Sequence, residues 1–514
     1  MSPKVVLEIT PDRLEAYLEA RERKRRASAQ KMSLYYNDPV AFVHDCISFP
    51  EGQGLTAYQE EVMSELPIQK RVAQRGPHGL GKTGTAAWLI LWFSLTRDAA
   101  GVDWKCPITA GAWRQLEQYL MPEVHKWAKC LRWDRIGRDP FRRGELLTLN
   151  LNLNFGSAFA VASNVPAYIE GAHADSILYI YDESKSIIDA TFDAAEGAFS
   201  GAGTDGREAF ALASSTPGEP IGRFYDISMS KKGFQDWWPR HVTLDEAVAA
   251  GRINPDWVTQ RGEQWGEDSQ LFANRVLGEF HASDEDTIIP LSWIEQANER
   301  WYEHAKEVVG EVDRIGVDVA RSGKDKTVVA TVRGFRVEEL HYAFHQDTVK
   351  TEKKVIQVME LHNQAIATID ADGLGAGVYD HVMTDIGKER VRPFHASAAT
   401  DWLDISGELS FLNTRAAAWW KLREMLDPGK GSTLELPPDD QLLADLTAPK
   451  RKESARGKIQ VESKDDVKKR LGGRSTDAAD AVIMSLWQNR KRRRRRMGDM
   501  GWGQSSAGED ALVS

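Results

Sequence analysis

Residues 76–83 read Gly-Pro-His-Gly-Leu-Gly-Lys-Thr, a G-x-x-x-x-G-K-[ST] loop set between a β-rich run, Arg71–Gln74, and a helical stretch, Gly84–Leu95. Few local sequences constrain a fold as strongly. A glycine-rich turn from strand into helix lets backbone N–H groups close around phosphates with the positive end of the helix behind them. It does so at the end of a strand in an α/β sheet, and the flanking strand and helix make a chance glycine turn a poor explanation. Gly76, Gly79 and Gly81 supply the turn, Lys82 suits the β/γ charge, and the Thr83 hydroxyl suits Mg²⁺.

A phosphate loop becomes hydrolytic only with acids beside it. Ile177–Tyr181 is an apolar run that ends in Asp182-Glu183. There Asp182 would hold the magnesium shell and Glu183 would orient the attacking water. A further run, Ala209–Ser214, leads into Ser215-Thr216-Pro217-Gly218, whose hydroxyls suit γ-phosphate sensing as well as an ordinary strand exit. Tyr58-Gln59, ahead of the loop, could stack on and hydrogen-bond an adenine. With Pro107–Ala110 and Leu147–Leu153 as additional strands, residues 51–245 alternate strand and helix, which implies a mostly parallel sheet with flanking helices.

A second constellation is acidic. Asp318 closes the run Ile315-Gly316-Val317, and Asp370 closes Ala367-Thr368-Ile369; Asp477 and Asp480 lie at i, i+3 spacing at the start of a helix that runs to Trp487. Clustered carboxylates repel one another unless cations neutralise them, and a pair of Mg²⁺ or Mn²⁺ ions roughly 4 Å apart is a chemical solution that cuts phosphodiesters. Read singly, these acids could be surface groups or caps, Asp477 of its own helix in particular. The predicted order of this second block, three strands (314–319, 327–333, 337–344), helix, strand (366–370) and helices to about 489, is a separate α/β pattern.

The remaining chain is organised around these blocks. Residues 1–50 form a helical arm, with helices over 11–31, capped by Thr10, and 38–47. Residues 246–310 form a tryptophan-rich helical connector that docks on its neighbours through Trp257, Trp265, Trp293 and Trp301. A basic stretch between Lys450 and Arg474 suits a phosphate backbone, although interleaved Glu453, Glu462, Asp465 and Asp466 suit a solvated face equally. The uncompensated run Arg490–Arg496 suits nucleic acid or an acidic surface, and the Gly/Ser/acidic tail to Ser514 lacks periodicity.

Composition sets the limits. Lys and Arg number 66 against 76 Asp and Glu, a net charge of −10, so any nucleic-acid contact must be local. Three scattered cysteines support neither a disulfide framework nor a cysteine-rich zinc site, which suggests a reducing compartment. The charged N-terminus lacks a signal-peptide core, and the apolar stretch Ala86–Leu95 is too short to span a bilayer, so no membrane association is expected.

From about Asp38 to Asn489 the chain resembles the large terminase subunits of tailed bacteriophages. The resemblance is carried by Leu55-Thr56-Ala57-Tyr58-Gln59, the phosphate loop, Ile180-Tyr181-Asp182-Glu183, Ser215-Thr216-Pro217-Gly218 with Gly222-Arg223-Phe224-Tyr225, and Val276-Leu277-Gly278-Glu279-Phe280 with Ile289-Pro290. It implies an additional-strand P-loop ATPase domain at 51–245 and a ribonuclease H-like α/β nuclease domain at 311–490, followed by the basic run and tail at 491–514. The family roles then fall on Lys82 and Thr83, on Asp182 and Glu183, on Ser215 and Thr216 for coupling, and on Asp318, Asp370 and Asp477 as nuclease metal ligands. Asp480 matches the second acid of resolvase relatives, and which helical acid ligates directly stays open. Arg75, Arg207 and Arg223 are all candidates for an arginine that completes a neighbour's site. The resemblance further implies ATP, Mg²⁺ or Mn²⁺, double-stranded DNA, a small terminase subunit, a portal protein, a homo-oligomeric ring and the host-cell cytoplasm. A helicase-nuclease or repair ATPase is the alternative reading, although no second motor lobe is legible; a nucleotide-gated structural protein is a third, which Glu183 disfavours.

Overall fold

A computed structural model describes residues 11–487 except 285, 308, 321–325, 345–347 and 455–456. The Thr10 cap, the polar turn 321–325, Arg456, the run Arg490–Arg496 and the tail therefore lie outside the described residues.

Seven strands form the first sheet: β1 (Arg71–Arg75), β2 (Trp104–Ala110), β3 (Asn150–Asn152), β4 (Gly156–Ala162), β5 (Ser176–Asp182), β6 (Glu208–Ser215) and β7 (Trp238–His241). Their order is β3-β4-β2-β5-β6-β1-β7, and every pairing is parallel except β3 with β4. β6 thus stands between the phosphate-loop strand and the strand that ends in Asp182, which is the additional-strand arrangement the resemblance implies.

The helix Lys82–Ala100 is buried from Gly84 to Asp98, and its span Ala86–Leu95 is apolar on all sides except at Ser94. Such a helix must be enclosed on every face, which explains why Ala86–Leu95 is so hydrophobic without spanning a membrane. Among the described residues no helix is long and apolar enough to cross one. Its Trp88 packs edge-on against Trp127 and Phe49, and its Trp92 donates to the Tyr35 carbonyl at 2.6 Å. Phe42, Val43 and Cys46, from the helix Pro39–Cys46, join the same core, so the second half of the N-terminal arm is built into it. Asp38 caps that helix by accepting from Ala41 N at 2.9 Å.

Five strands form the second sheet: β8 (Arg314–Asp318), β9 (Thr327–Arg333), β10 (Arg336–Ala343), β11 (Ile366–Asp370) and β12 (Val391–Phe394). The order is β10-β9-β8-β11-β12, with β8, β11 and β12 parallel and β9 antiparallel to both its neighbours. In chain order that is 3-2-1-4-5, the ribonuclease H-like pattern. A small hairpin, β13 (Arg451–Glu453) with β14 (Ile459–Val461), follows.

The connector docks as its tryptophans suggest. Trp265 is buried against Trp257, Trp301 donates to the Val337 carbonyl of β10 at 2.8 Å, and Arg423 lies over the Trp293 ring.

The C-terminal helix Asp477–Leu486 crosses the second sheet so closely that only a glycine fits below it. A Cβ on Gly316 of β8 would lie 1.9 Å from the Ala481 carbonyl and 2.5 Å from Ser485 N. Gly316→Ala is therefore expected to lower unfolding stability by about 1–3 kcal/mol, the usual cost of overpacking. Urea denaturation measures this, and an unchanged midpoint would show that the helix is not seated on β8.

Candidate nucleotide and metal sites

In parallel strands, carboxyl ends fall on one edge of the sheet, and the phosphate loop, Asp182 and Ser215 meet there. Asp182 pairs in register with Ser214, and Arg75, the last residue before the loop, pairs with Ser215. Gly79 and Gly81 adopt φ of +83° and +78°, a left-handed conformation that favours glycine. The Lys82 ammonium folds back onto the loop, donating to the Pro77 carbonyl at 2.8 Å and to that of Gly76 at 3.4 Å. Burial pushes its pKa down to about 8, against the pull of Glu183 and Asp182. Thr83 sits partly exposed in the first turn of the same helix.

Tyr58 and Gln59 brace the loop from behind. The Tyr58 hydroxyl donates to the Leu80 carbonyl at 3.0 Å, and Gln59 Nε2 donates to Thr85 Oγ1 at 3.1 Å and to the Gly81 carbonyl at 3.3 Å. Both side chains are buried, so their place in the structure is to fix the loop backbone.

Asp182 is buried at the end of β5, and burial followed by the charge of Glu183 raises its pKa to about 7, with Lys82 opposing. Glu183 adopts φ of +46°, a strained conformation for a residue with a Cβ. The Ser215 hydroxyl lies 3.1 Å from Glu183 Oε2 and 2.7 Å from the Thr216 carbonyl. Its single proton can serve only one of these acceptors at a time.

The connector closes over this edge. The segment Val276-Leu277-Gly278-Glu279-Phe280 lies on the phosphate loop: His78 N donates to the Arg275 carbonyl at 3.0 Å, and a Cβ on Gly278 would come within 2.6 Å of Gly76 Cα. Arg75 is held here, donating to Glu279 at 2.6 Å and to the Gly278 carbonyl at 2.9 Å. Arg223 is likewise engaged, by Asp193 at 2.7 Å. Arg207 is exposed just before β6, at the opposite end of the strands.

Sequence reasoning misses Lys185, whose Nζ donates to both carboxylate oxygens of Glu295 at 3.0 and 3.1 Å. Burial opposes charge on Glu295, but Lys185 and then Arg275 outweigh it and hold the carboxyl below its ordinary value. Arg275 also pairs with Asp440 at 3.1 Å, at the start of the helix Asp440–Thr447 in the second unit.

In the second unit, Asp318 and Asp370 end adjacent parallel strands, and the C-terminal helix brings Asp480 to them. These three carboxylates line one cavity together with Lys464, Arg415 and Trp419. Lys464 Nζ lies 2.9 Å from Asp480 Oδ2, and the attraction of Asp480 raises the Lys464 pKa. Burial raises Asp318 well above the carboxylate range, with Lys464 opposing and Asp477, Asp480 and Asp370 adding to it. Asp370 is also raised by burial. For Asp480 burial opposes ionisation, but Lys464 and Arg415 prevail and hold its pKa low.

Asp477 does not line the cavity. Its Oδ2 accepts from Lys326 N at 2.7 Å and its Oδ1 from the Ser475 hydroxyl, so it ties the start of β9 to the helix. Nearby, Asp445 accepts from Ala478 N at 3.0 Å and pairs with Arg474. The three cavity acids offer hard oxygen donors of the kind Mg²⁺ and Mn²⁺ take, which fits those ions chemically. As arranged, no three His, Cys, Asp or Glu side chains among the described residues enclose a single ion, and Lys464 stands among the acids as their counter-charge.

Much of the basic stretch is compensated: Lys450 pairs with Asp284, Lys452 with Asp466, Arg470 with Glu462, and Arg474 with Asp445.

The geometry of the first site can be tested at its connector and at its buried acid. Gly278→Ala should drive a methyl group into Gly76 and Pro77, weakening binding of a fluorescent ATP analogue about fivefold or more, as about 1–3 kcal/mol of overpacking implies. Equal affinity would mean that the connector does not shape the loop. Because folding raises Asp182 from 3.8 to about 7, the native state holds a proton that the unfolded chain releases between those values. Stability from this group therefore rises as pH falls from about 7 toward 4, and Asp182→Asn should remove up to about 1.4 kcal/mol of slope per pH unit. Magnesium-free urea titrations at pH 5, 6 and 7 measure it.

No protein-family model matches the chain. A curated relative named "Probable terminase, large subunit", from Enterobacteria phage P7, is 27% identical over 340 residues, which cover 62% of this chain. The match spans 65% of that relative's length. Among solved structures, the nuclease domain of the large terminase subunit gp2 of bacterial virus Sf6 aligns with 39% of this chain and 98% of that domain, at 21% identity and a TM-score of 0.32. The large terminase of a thermophilic bacteriophage, in complex with ATP-gamma-S, aligns with 84% of this chain and 99% of its own, at 11% identity and a TM-score of 0.37. The resemblance read from the motifs is thus met by an independent match: in sequence, this chain is similar to the large terminase subunits of bacteriophages.

Proposed function

We propose that the chain is an ATP-driven motor that translocates double-stranded viral DNA into a procapsid and cuts concatemeric DNA with a two-metal endonuclease. One observation carries the reading: a phosphate loop with adjacent acids and a separate cavity of three carboxylates each form at the carboxyl edge of their own sheet. Hydrolysis needs the first set alone, and phosphodiester cleavage needs the second.

At the first edge, Lys82 releases the Pro77 carbonyl to meet the β/γ-phosphates, the loop N–H groups hold the remaining charge, and Thr83 and Asp182 hold Mg²⁺. Glu183, held in position by its backbone turn and by Ser215, orients the attacking water. If the Ser215 proton turns from Glu183 to Thr216, the carboxylate loses a donor, and this links the state of the phosphate to the turn 215–218. Tyr58 and Gln59 contribute by fixing the loop.

At the second edge, Asp318, Asp370 and Asp480 hold the cations, which supply charge neutralisation and an activated water when bound. Asp480 is the direct helical ligand in this reading, and Asp477 positions the helix through Lys326 and Ser475. The natural partners are double-stranded DNA, a small terminase subunit, the portal of a procapsid and further copies of the chain in a ring, within the host-cell cytoplasm.

Lys82→Ala and Glu183→Gln should each reduce ATP turnover by about 100-fold or more while leaving Mg²⁺- or Mn²⁺-dependent plasmid cutting in place. Asp370→Asn should do the reverse. Asp480→Asn should lower cutting more than Asp477→Asn at saturating metal. Parallel loss of ATPase and nuclease in every variant would count against two separate sites.

A further inference from the structure

Arg415 lies in the first turn of the helix Thr414–Leu426, and its side chain lines the cavity of Asp318, Asp370 and Asp480. Only one of its guanidinium nitrogens is accounted for: Nη1 donates to the Glu462 carbonyl at 2.7 Å. Nε and Nη2 are buried and have no hydrogen-bond partner among the described residues. A buried charged donor without an acceptor is unfavourable, and native proteins rarely keep one unless something else completes it.

The cavity acids do not complete it. Neither nitrogen has one of their oxygens within hydrogen-bond distance. Asp480, whose charge attracts Arg415, is hydrogen-bonded to Lys464 at 2.9 Å and to the Thr476 hydroxyl at 3.4 Å, and Asp370 Oδ1 accepts from Asp372 N at 3.0 Å. A cation cannot complete it either, because both open positions are donors. The missing group is an anion, or at least an acceptor. Nε and Nη2 are neighbouring arms of a planar fork, whose geometry matches two oxygens of one phosphate.

We infer that Arg415 is a phosphate-binding residue of the carboxylate cavity, which grips the non-bridging oxygens of the phosphodiester presented to Asp318, Asp370 and Asp480. The inference rests on the nuclease reading above and adds to it the group that holds the substrate. Cations on the acids and a guanidinium in the same cavity would share the phosphate charge between them. Lys464, already paired with Asp480, leaves this role open to Arg415. Nothing in the sequence marks Arg415, which falls in an alanine-rich helix remote from every motif.

The test uses the full chain and supercoiled plasmid in single-turnover cutting, with Mg²⁺ or Mn²⁺ titrated to saturation. Arg415→Gln should cut on the order of 10²-fold more slowly at saturating metal, the range seen when one charge-stabilising donor is lost. Its half-saturating metal concentration should stay within about twofold, and Arg415→Lys should recover part of the rate by restoring charge without the fork. Sulfate, added at constant ionic strength as a tetrahedral anion, should inhibit the wild type and have a weaker effect on Arg415→Gln. Circular dichroism and urea denaturation report whether each variant is folded, because ATP turnover uses the other sheet and does not sense the second; if Arg415→Gln fails that check, Arg415→Lys carries the comparison alone. Wild-type cutting by both variants would overturn the inference and leave a buried water as the partner. A defect cured by excess metal would also overturn it, since Arg415 would then act through the acids. Should the wild type and Asp370→Asn both fail to cut, the nuclease reading itself falls, a result distinct from either.

Discussion

Parallel strands deliver their carboxyl ends to one edge of a sheet, and the chemistry of this chain depends on that geometry twice. In the first sheet the edge gathers the phosphate loop after β1, the acids after β5 and the hydroxyls after β6, three segments far apart in sequence. In the second it sets Asp318 beside Asp370. Gathering like charges costs free energy, and the cost is visible in the upward pKa shifts of Asp182 and Asp318, where burial and neighbouring carboxylates act in the same direction. Sites assembled in this way suit cations and phosphates, because the sheet holds the acids together before any ligand arrives.

Between the two edges lies the connector, which touches both units through charged groups. Lys185, two residues past Glu183, is held by Glu295; Arg275 lies 3.9 Å from the same carboxylate and reaches Asp440. The helix that begins at Asp440 carries Asp445, which accepts from Ala478 at the start of the helix bearing Asp480. Gln441 of the same helix accepts from Lys326, whose own backbone N–H donates to Asp477. The contacts are contiguous from the phosphate edge to the carboxylate cavity. Contiguity alone does not establish coupling between sites, for which two discrete arrangements are required. The Gly278 turn is packed against Gly76 and Pro77, and Trp301 ties the helix Leu291–Glu303 to β10, so the connector is held at both ends of these pairs.

The strands with chemistry at their ends are legible in the sequence, whereas the edges of the sheets are not. β5, β6, β8 and β11 are apolar runs closed by distinctive residues, the polar β1 is marked by the phosphate loop that follows it, and each lies within about a residue of its expected position. β7 and β12 escape a sequence reading because each contains a proline, Pro239 and Pro393, which argues against a strand unless that strand lies at an edge; both do. The expected strand 147–153 shrinks to Asn150–Asn152, and the adjacent β4, rich in small residues and begun by Gly156, gives no clear strand signal. At the sites, the motif acids Asp182, Asp318, Asp370 and Asp480 lie at the ends of their elements, Asp477 is engaged outside the cavity by Lys326 and Ser475, Lys464 is one lysine of the basic stretch, and Arg415, Lys185 and Glu295 belong to no motif. Their positions depend on which helix packs over which strand, and no local pattern encodes that.

The two lysines of the sites show why a residue type alone does not determine electrostatics. Lys82 donates to neutral carbonyls, so burial governs and its pKa falls to about 8 even with Asp182 and Glu183 close by. Lys464 donates directly to a carboxylate, so the attraction of Asp480 outweighs burial and its pKa rises. The first lysine is therefore loosely committed and can move to an incoming phosphate at the expense of weak, neutral contacts. The second is a resident counter-charge that any cation entering the cavity must contend with. On the function proposed above, a phosphate loop must exchange its ligand at every turnover, whereas a cluster of acids must remain folded between substrates, and the two pairings suit those separate demands.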